Sequence, residues 1–361
     1  MKKILLKIVK IILLVLCGLI VMFFIVMGIG RLINAHKYKI RSENGVQKSY
    51  YVTLGGIDQY IQIRGQDVSN PVMIVLHGGP GGNMAYWSYH WQSYLEKEYT
   101  IVHWDQRGCG NTYYRSKETE RPTLDLLLSD LDELVDYLRK EYGKDKVIIT
   151  AHSWGTNIGA IYSGTHPEKV SAYVGIGQFV NFWSGEQLAA NEAARLATKA
   201  GKTDDALKIE NQFKVVKSNR DFDIKELIKL RQLTSKYLPN GGGMDILLGL
   251  FSPYMTFSDL KWFMLQIVDI DKIAEIQSDL YKASFSENGA SLYDYTLTYK
   301  IPITIIAGDA DWITPYSIAE EYCNAVSSPK KEFILIEGAG HTPFLDKPEM
   351  FAKVLSENLN K

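Results

Sequence analysis

The first thirty positions contain one unbroken apolar block. Residues 11–30, IILLVLCGLIVMFFIVMGIG, carry no charge and are bracketed by Lys10 and Arg31. At the helical rise per residue this is about 30 Å of helix, the thickness of a bilayer's hydrocarbon core. From about residue 48 the pattern changes to short apolar runs separated by amphipathic stretches. SYYVTLGGIDQYIQIRG holds two β-rich runs around a Gly-Gly turn and predicts a hairpin. VMIVLH (72–77), YTIVHWD (99–105), KVIITA (146–151) and SAYVGIG (171–177) read as strands buried on both faces, as a parallel sheet requires. LDLLLSDLDELVDYLRKEYG repeats Leu and Val every three to four positions and stops at Gly143, the pattern of a helix with its terminator.

Residues 181–299 break the alternation. They are rich in Ala, Leu, Lys, Glu and Gln, are interrupted by PNGGGMD, and predict several helices with no strand between them. Alternation returns with IPITIIAG (301–308), a helix near 316–326, KEFILIEG (331–338) and a terminal helix from about 348. Strands alternating with helices predict an α/β fold, a mostly parallel doubly wound sheet, here carrying a helical lid inserted into it. The expected organisation is an anchor over 1–33, a linker over 34–47, a first core part over 48–180, the lid over 181–299 and a second core part over 300–361.

Composition narrows the function classes. With 361 residues, 46% of them apolar, the chain can bury one large core and still carry an insertion. Forty basic and 41 acidic side chains nearly cancel, which removes the electrostatic case for a nucleic-acid partner. Cys17, Cys109 and Cys323 make neither a disulfide framework nor a metal-ligand spacing, so no metal and no cofactor are expected. The apolar block exceeds the usual ~7–15-residue core of a removed signal peptide. A single-pass anchor in the cell membrane is therefore the expectation, and a leader cleaved near Gly28-Ile29-Gly30 the alternative. Lys2, Lys3, Lys7 and Lys10 before the block nearly balance Arg31, Lys37, Lys39 and Arg41 after it. The signal-like N-terminus then favours a catalytic domain outside the cytoplasm. Oligomeric state is left open.

In an α/β sheet, ligands bind outside the carboxyl ends of the strands. Four polar motifs fall at such ends: HGGPGG (77–82), DQRGCG (105–110), AHSWG (151–155) and the pair GDAD (308–311) with GH (340–341). A sharp strand-to-helix turn exposes the Ser153 hydroxyl, which becomes nucleophilic only when a neighbouring base accepts its proton. The chain order for such a turn is Ser, then Asp or Glu, then His. Among the seven histidines only His341 lies downstream of a candidate acid and just past a late strand. For the acid, Asp311 is preferred over Asp309 because GDADWITP fits a G-x-x-D loop closing on Pro315. Attack on a carbonyl creates an oxyanion, for which the amides of Trp154 and Gly79 are the expected donors. Gly78 and Trp154 would then flank the substrate.

LHGGPGG, WDQRGCG, AHSWG, GDADWITP and GAGHTPF, in this order, resemble the proline iminopeptidase branch of the α/β-hydrolase superfamily, over roughly residues 50–360. The resemblance implies Ser153 as nucleophile, Asp311 as acid, His341 as base, and Gly79 and Trp154 as oxyanion donors. It also implies that DQRGCG shapes a wall of the site and that 181–299 forms a lid. Ala151 departs from the glycine usual two positions before the nucleophile, and the soluble members of the branch have no anchor. An iminopeptidase must bind a free N-terminal ammonium, which calls for lid carboxylates such as Glu186, Glu192 or Glu210. The tryptophan-rich lid segment that carries this acid in the branch is absent from the sequence. Three readings follow: an aminopeptidase releasing N-terminal proline or small residues from short peptides, a carboxylesterase or lipase-like hydrolase of small or lipid esters, and a non-catalytic binding protein on the same fold.

Overall fold

The computed structural model describes residues 2–116, 120–218, 222–241, 246–286, 289–295 and 297–359. It begins with one long helix, α1 (Lys2–Lys37). The two strands that follow, β1 (Val46–Leu54) and β2 (Ile57–Gly65), pair antiparallel around Gly55-Gly56, the predicted hairpin. Then come β3 (Val72–Leu76), α2 (Tyr89–Gln92), β4 (Thr100–Trp104), α3 (Gly110–Ser116), α4 (Leu124–Glu141), β5 (Val147–His152), α5 (Gly155–Thr165) and β6 (Val170–Ile176). Helices alone fill the next stretch: α6 (Phe182–Lys199), α7 (Thr203–Ser218), α8 (Ile224–Thr234), α9 (Ile246–Leu250), α10 (Phe257–Val268), α11 (Ile270–Ile276) and α12 (Ser278–Phe285). The chain closes with β7 (Ile303–Gly308), α13 (Tyr316–Ala325), β8 (Lys331–Ile336), α14 (Pro343–Asp346) and α15 (Pro348–Leu359).

Among the described residues the strands form one eight-stranded sheet in the order β1-β2-β4-β3-β5-β6-β7-β8. β1, β2 and β4 pair antiparallel, and every pairing from β4 to β8 is parallel. Every residue of β3, β4 and β7 is buried, because helices cover both faces. Helix α4 illustrates the local logic. Thr123 caps it by accepting from the Leu126 amide, and Leu127, Leu131, Leu134, Val135 and Leu138 fall on its buried face. Gly143, at φ +59°, then turns the chain out of the helix in a conformation that suits glycine. The helical insertion returns to the sheet through Tyr299 and β7, and α6, α8, α10 and α12 cover the carboxyl ends of the central strands.

The segment expected as a linker over 34–47 begins in the last turn of α1 and leads to β1. α1 continues to Lys37, and the Asn34 side chain donates to the Phe251 carbonyl at 3.0 Å. The Tyr38 carbonyl accepts from Arg64 at 2.6 Å, and Arg64 is itself paired with Glu96 in the core. A guanidinium buried beside a carboxylate needs further acceptors for its remaining donors, and the chain after α1 supplies one. No local sequence signal marks that role.

Candidate active site

The turn after β5 carries the centre of the site. Ser153 has φ +54°, the only non-glycine residue with positive φ among those described, which projects its side chain above the sheet edge. The strained turn is held by the Ser153 amide on the Ile176 carbonyl at 2.9 Å and by the Thr156 amide on the Ser153 carbonyl at 2.9 Å. Gly155 is required here, since a Cβ at that position would sit 2.4 Å from the His77 carbonyl oxygen. The departure at Ala151 has a local compensation. A Cβ on Gly159 would lie 2.8 Å from the Ala151 methyl, so the side chain missing at 159 leaves the space that the extra methyl at 151 occupies.

Three distant segments converge on this serine. His341, in the loop after β8, places Nε2 2.8 Å from Ser153 Oγ and Nδ1 2.9 Å from Asp311 Oδ2. A carboxylate can only accept, so Nδ1 carries the proton and Nε2 is left to accept from the serine hydroxyl. Asp311 is buried and is fixed by the amides of Ile313 and Thr314, both at 2.9 Å, and by the Thr314 hydroxyl at 2.8 Å. Burial alone would push its pKa up. The opposing pull of His341 and the bonds from His341 and Thr314 outweigh that and hold the carboxyl below its ordinary value. Asp309 faces elsewhere: its Oδ1 accepts from the Gly338 amide.

His152 belongs to the same cluster. Its Nε2 lies 2.8 Å from the His341 carbonyl and donates to it, while its ring sits 4.8 Å from the His341 ring. Burial, then repulsion from His341, pushes its pKa down to about 3, so it stays neutral and acts as a brace on the His341 backbone. AHSWG shows a histidine next to the serine, but nothing in the sequence assigns it this contact. Thr314, within GDADWITP, is likewise visible only once the loop is folded.

The glycine loop after β3 lies against the serine. A Cβ on Gly78 would meet Ser153 Cβ at 2.7 Å and Oγ at 3.2 Å, so only glycine leaves the hydroxyl its place. Gly79 adopts φ +118° and precedes a cis proline. Lid and core both hold this loop. Trp262 Nε1 and Gln266 Nε2, on α10, donate to the Gly81 carbonyl at 2.7 and 3.1 Å. Gln106 Nε2 donates to the His77 carbonyl at 3.1 Å from behind. DQRGCG therefore supports the loop and does not line the cavity. Arg107 pairs with buried Asp130, and Asp105 accepts from the Asn111 amide and side chain at 2.8 and 2.9 Å. Asn111 also donates to Asp259 on α10, which brings two buried carboxyls together between sheet and lid. Burial, then the Asp259 charge, pushes Asp105 up to about 8.

A cavity of about 330 Å³ opens over Ser153 and His341, with Gly78, Gly79 and Trp154 on its floor. Its lid side is apolar, with Phe182, Leu227 and Phe285, and includes one guanidinium, that of Arg231. Glu186 is buried behind it, and its Oε1 accepts from both Nε and Nη2 of Arg231. Glu192 does not line the cavity; it pairs with Arg195 one turn along the same helix. Neither does Glu210, which lies exposed on α7. Arg231 had no sequence signal, because one basic residue on an amphipathic helix reads as a solvated face. Among the described residues, no group of three His, Cys, Asp or Glu side chains is arranged to hold a metal ion.

The chain is similar to the probable aminopeptidase YbaC of Bacillus subtilis (strain 168), with 27% identity over 85% of this chain and 94% of that protein. It is similar in fold to a proline iminopeptidase-related protein of Thermus thermophilus, with 22% identity, a TM-score of 0.56, and coverage of 87% of this chain and 98% of that one. A bacterial membrane phospholipase A shares the fold over 100% of this chain and 98% of its own, at 17% identity and a TM-score of 0.60. Residues 71–348 match the family model described as the alpha/beta hydrolase fold. With its serine turn, late histidine loop and lidded parallel sheet in that order, the chain belongs to the α/β-hydrolase fold family.

Proposed function

We propose that the protein is a membrane-anchored serine hydrolase that works through an acyl-enzyme and releases N-terminal proline or small residues from short peptides. The observation that carries the chemistry is the unbroken chain of contacts Ser153 Oγ–His341 Nε2 and His341 Nδ1–Asp311 Oδ2, at 2.8 and 2.9 Å. In this reading His341 takes the Ser153 proton as Oγ attacks the substrate carbonyl. Asp311 holds the tautomer and stabilises the imidazolium. The amides of Gly79 and Trp154 receive the oxyanion, an electrostatic contribution typically worth ~2.7–4 kcal/mol per donor. His341 then protonates the departing amine. In the second half-reaction it takes a proton from the water that attacks the acyl-enzyme and returns that proton to Ser153 Oγ as the acyl–oxygen bond breaks and the acid leaves.

The peptide substrate is supported by the names of the relatives, above all the aminopeptidase at 27% identity. Residues 11–30 are proposed as the anchor, since residues 11–26 are all exposed and apolar on a helix that runs on into the domain. The domain is proposed to lie outside the cytoplasm. One observation favours a second reading, hydrolysis of small or lipid esters. The charged side chain lining the cavity is Arg231, so an incoming ammonium meets a guanidinium before it meets Glu186. Prolyl and alanyl arylamides compared with short p-nitrophenyl esters test the choice. Amide hydrolysis that disappears when the amine is blocked supports the peptidase; turnover of esters alone replaces it with the esterase. Labelling of Ser153 by a fluorophosphonate, lost in Ser153→Ala, tests the nucleophile common to both.

A further inference from the structure

Helix α10 has two faces of opposite character. Asp259, Trp262 and Gln266 point into the protein, where they hold Asn111 and the Gly81 carbonyl. Phe257, Leu260, Met264, Ile267 and Val268 are all exposed, Phe257 and Val268 by 75% and 74%. At 3.6 residues per turn these five fall within an arc of about 100° on the side away from Trp262 and Gln266. A stripe of five large apolar side chains on one helix is far from the scattered exposure expected of a soluble surface. On α9, Ile246 and Leu247 are exposed by more than half as well.

The position of this face says what covers it. Arg31 is the first charged residue after the apolar block of α1 and so marks the level where a bilayer's hydrocarbon ends. Its Nε donates to the Leu250 carbonyl at 2.9 Å, at the end of α9, and its Nη2 reaches Met255 Sδ at 3.5 Å. A Cβ on Gly30 would overlap the Phe251 ring, so helix and lid are in close contact there. Phe257 is two residues beyond Met255, at most about 7 Å of chain. Leu260 and Met264 of α10 line one apolar cavity of about 120 Å³ together with Ile246 and Leu250 of α9, so the stripe is continuous with the surface that touches the anchor. Lys37, Lys39 and Arg41 follow at the same end of α1 and suit an anionic headgroup layer.

We infer that the exposed faces of α9 and α10 seat in the interfacial layer of the bilayer beside the anchor, so that the lid rests on lipid. This rests on the reading of residues 11–30 as a membrane span. The depth is that of an interfacial amphipathic helix, roughly 5–10 Å into the boundary between headgroups and chains. The cavity between the two helices shares Trp87 with the cavity over Ser153. An amphiphilic substrate would therefore reach the lid from the membrane side with its apolar part next to the wall of the active site.

The test uses the full chain in vesicles of equal phosphatidylcholine and phosphatidylglycerol, in a Cys17→Ser background, since Cys109 and Cys323 are buried. An environment-sensitive fluorophore is attached in turn to Leu14→Cys, Phe257→Cys and Ile267→Cys, all exposed positions. Nitroxides deep in the acyl chains should quench the probe at 14, and emission at 257 and 267 should be blue-shifted and quenched by shallow nitroxides. Quenching at 14 with water-like emission at 257 and 267 overturns the docking and leaves the anchor standing. A blue shift at 257 and 267 without lipid quenching means that protein, a second copy of the chain, covers the face, and also overturns it. No quenching at 14 removes the anchor reading and this inference together.

Discussion

Replacing Gly78 by alanine adds one methyl at the point where the glycine loop touches the serine turn. That methyl would lie 2.7 Å from Ser153 Cβ and 2.9 Å from the His152 carbonyl oxygen, whereas ordinary contact begins at 3.4 Å. Loop and turn must therefore separate by about 0.7 Å, the difference between those two figures. The turn is tied to Ile176, and the loop to Trp262, Gln266 and Gln106, so neither can yield without disturbing hydrogen bonds. A misplacement near 1 Å in a catalytic constellation costs on the order of 10²-fold in rate. The expected loss in kcat is thus about 10- to 100-fold, or ~1.4–2.7 kcal/mol of transition-state stabilisation. Steady-state kinetics on the best arylamide or ester substrate, with thermal unfolding measured alongside, read it out. Gly82→Ala serves as the comparison: its methyl would lie 3.1 Å from the Gly78 carbonyl oxygen, a gap that a few tenths of an ångström relieve, so its loss should be smaller. Wild-type kcat in Gly78→Ala at unchanged Tm would refute the reasoning.

The other predictions concern charge. Asp311→Asn should lower kcat by about 10⁴-fold by fixing the wrong imidazole tautomer, while Asp309→Asn, whose carboxylate accepts from the Gly338 amide, should leave kcat near wild type; equal losses would reassign the acid. Burial and the neighbouring Asp259 charge raise the folded-state pKa of Asp105 above its ordinary value, so the stability its proton contributes is fully present below the ordinary value and is lost as pH rises through the raised one. Asp105→Asn should flatten the fall in Tm across that window, and an unchanged slope would place the titration elsewhere. Arg231→Met leaves the Glu186 carboxylate buried without its partner and should destabilise by about 1–3 kcal/mol in denaturant unfolding. Adding Glu186→Gln should recover most of that loss; recovery of none would mean that the unpaired Glu186 carboxylate is not its source.

The centre of the sheet was legible because β3, β4, β5 and β7 are short apolar runs, each with a polar motif at its carboxyl end. VMIVLH, KVIITA and IPITIIAG announce both a strand and the mouth of a site. Chain order plus position at strand ends singles out Ser153, His341 and Asp311 as candidates, and the loop pattern that prefers Asp311 over Asp309 agrees with where their oxygens point. The lid was legible as helices and little more. Glu186 and Glu192 carry the same residue type six positions apart on α6, yet one is buried against Arg231 and the other pairs with Arg195 away from the cavity. Which face of a lid helix turns inward depends on packing against elements distant in sequence, and periodicity does not encode it. For the same reason α10 reads from sequence as no more than one of several lid helices. Its apolar residues serve two surfaces, and only the contacts of Trp262 show which one faces in.

The electrostatics of the cavity also bear on which bond is cut. A free N-terminal ammonium loses hydration on entering an apolar pocket, and it is stabilised there only by a carboxylate that is not already neutralised. Glu186 is neutralised by Arg231, so as a unit the pair offers the ammonium no net attraction, and its cationic member is the one at the cavity wall. An aminopeptidase built this way has to part Arg231 from Glu186 when substrate binds, and that parting draws on binding energy. An acyl group with no charge meets no such demand, and the aromatic and aliphatic lid wall favours it through burial alone. In the proposed serine mechanism, the choice between peptides and esters would then follow how firmly one arginine holds one glutamate. That grip is set by the packing of α6 against α8, in the part of the chain where the sequence says least.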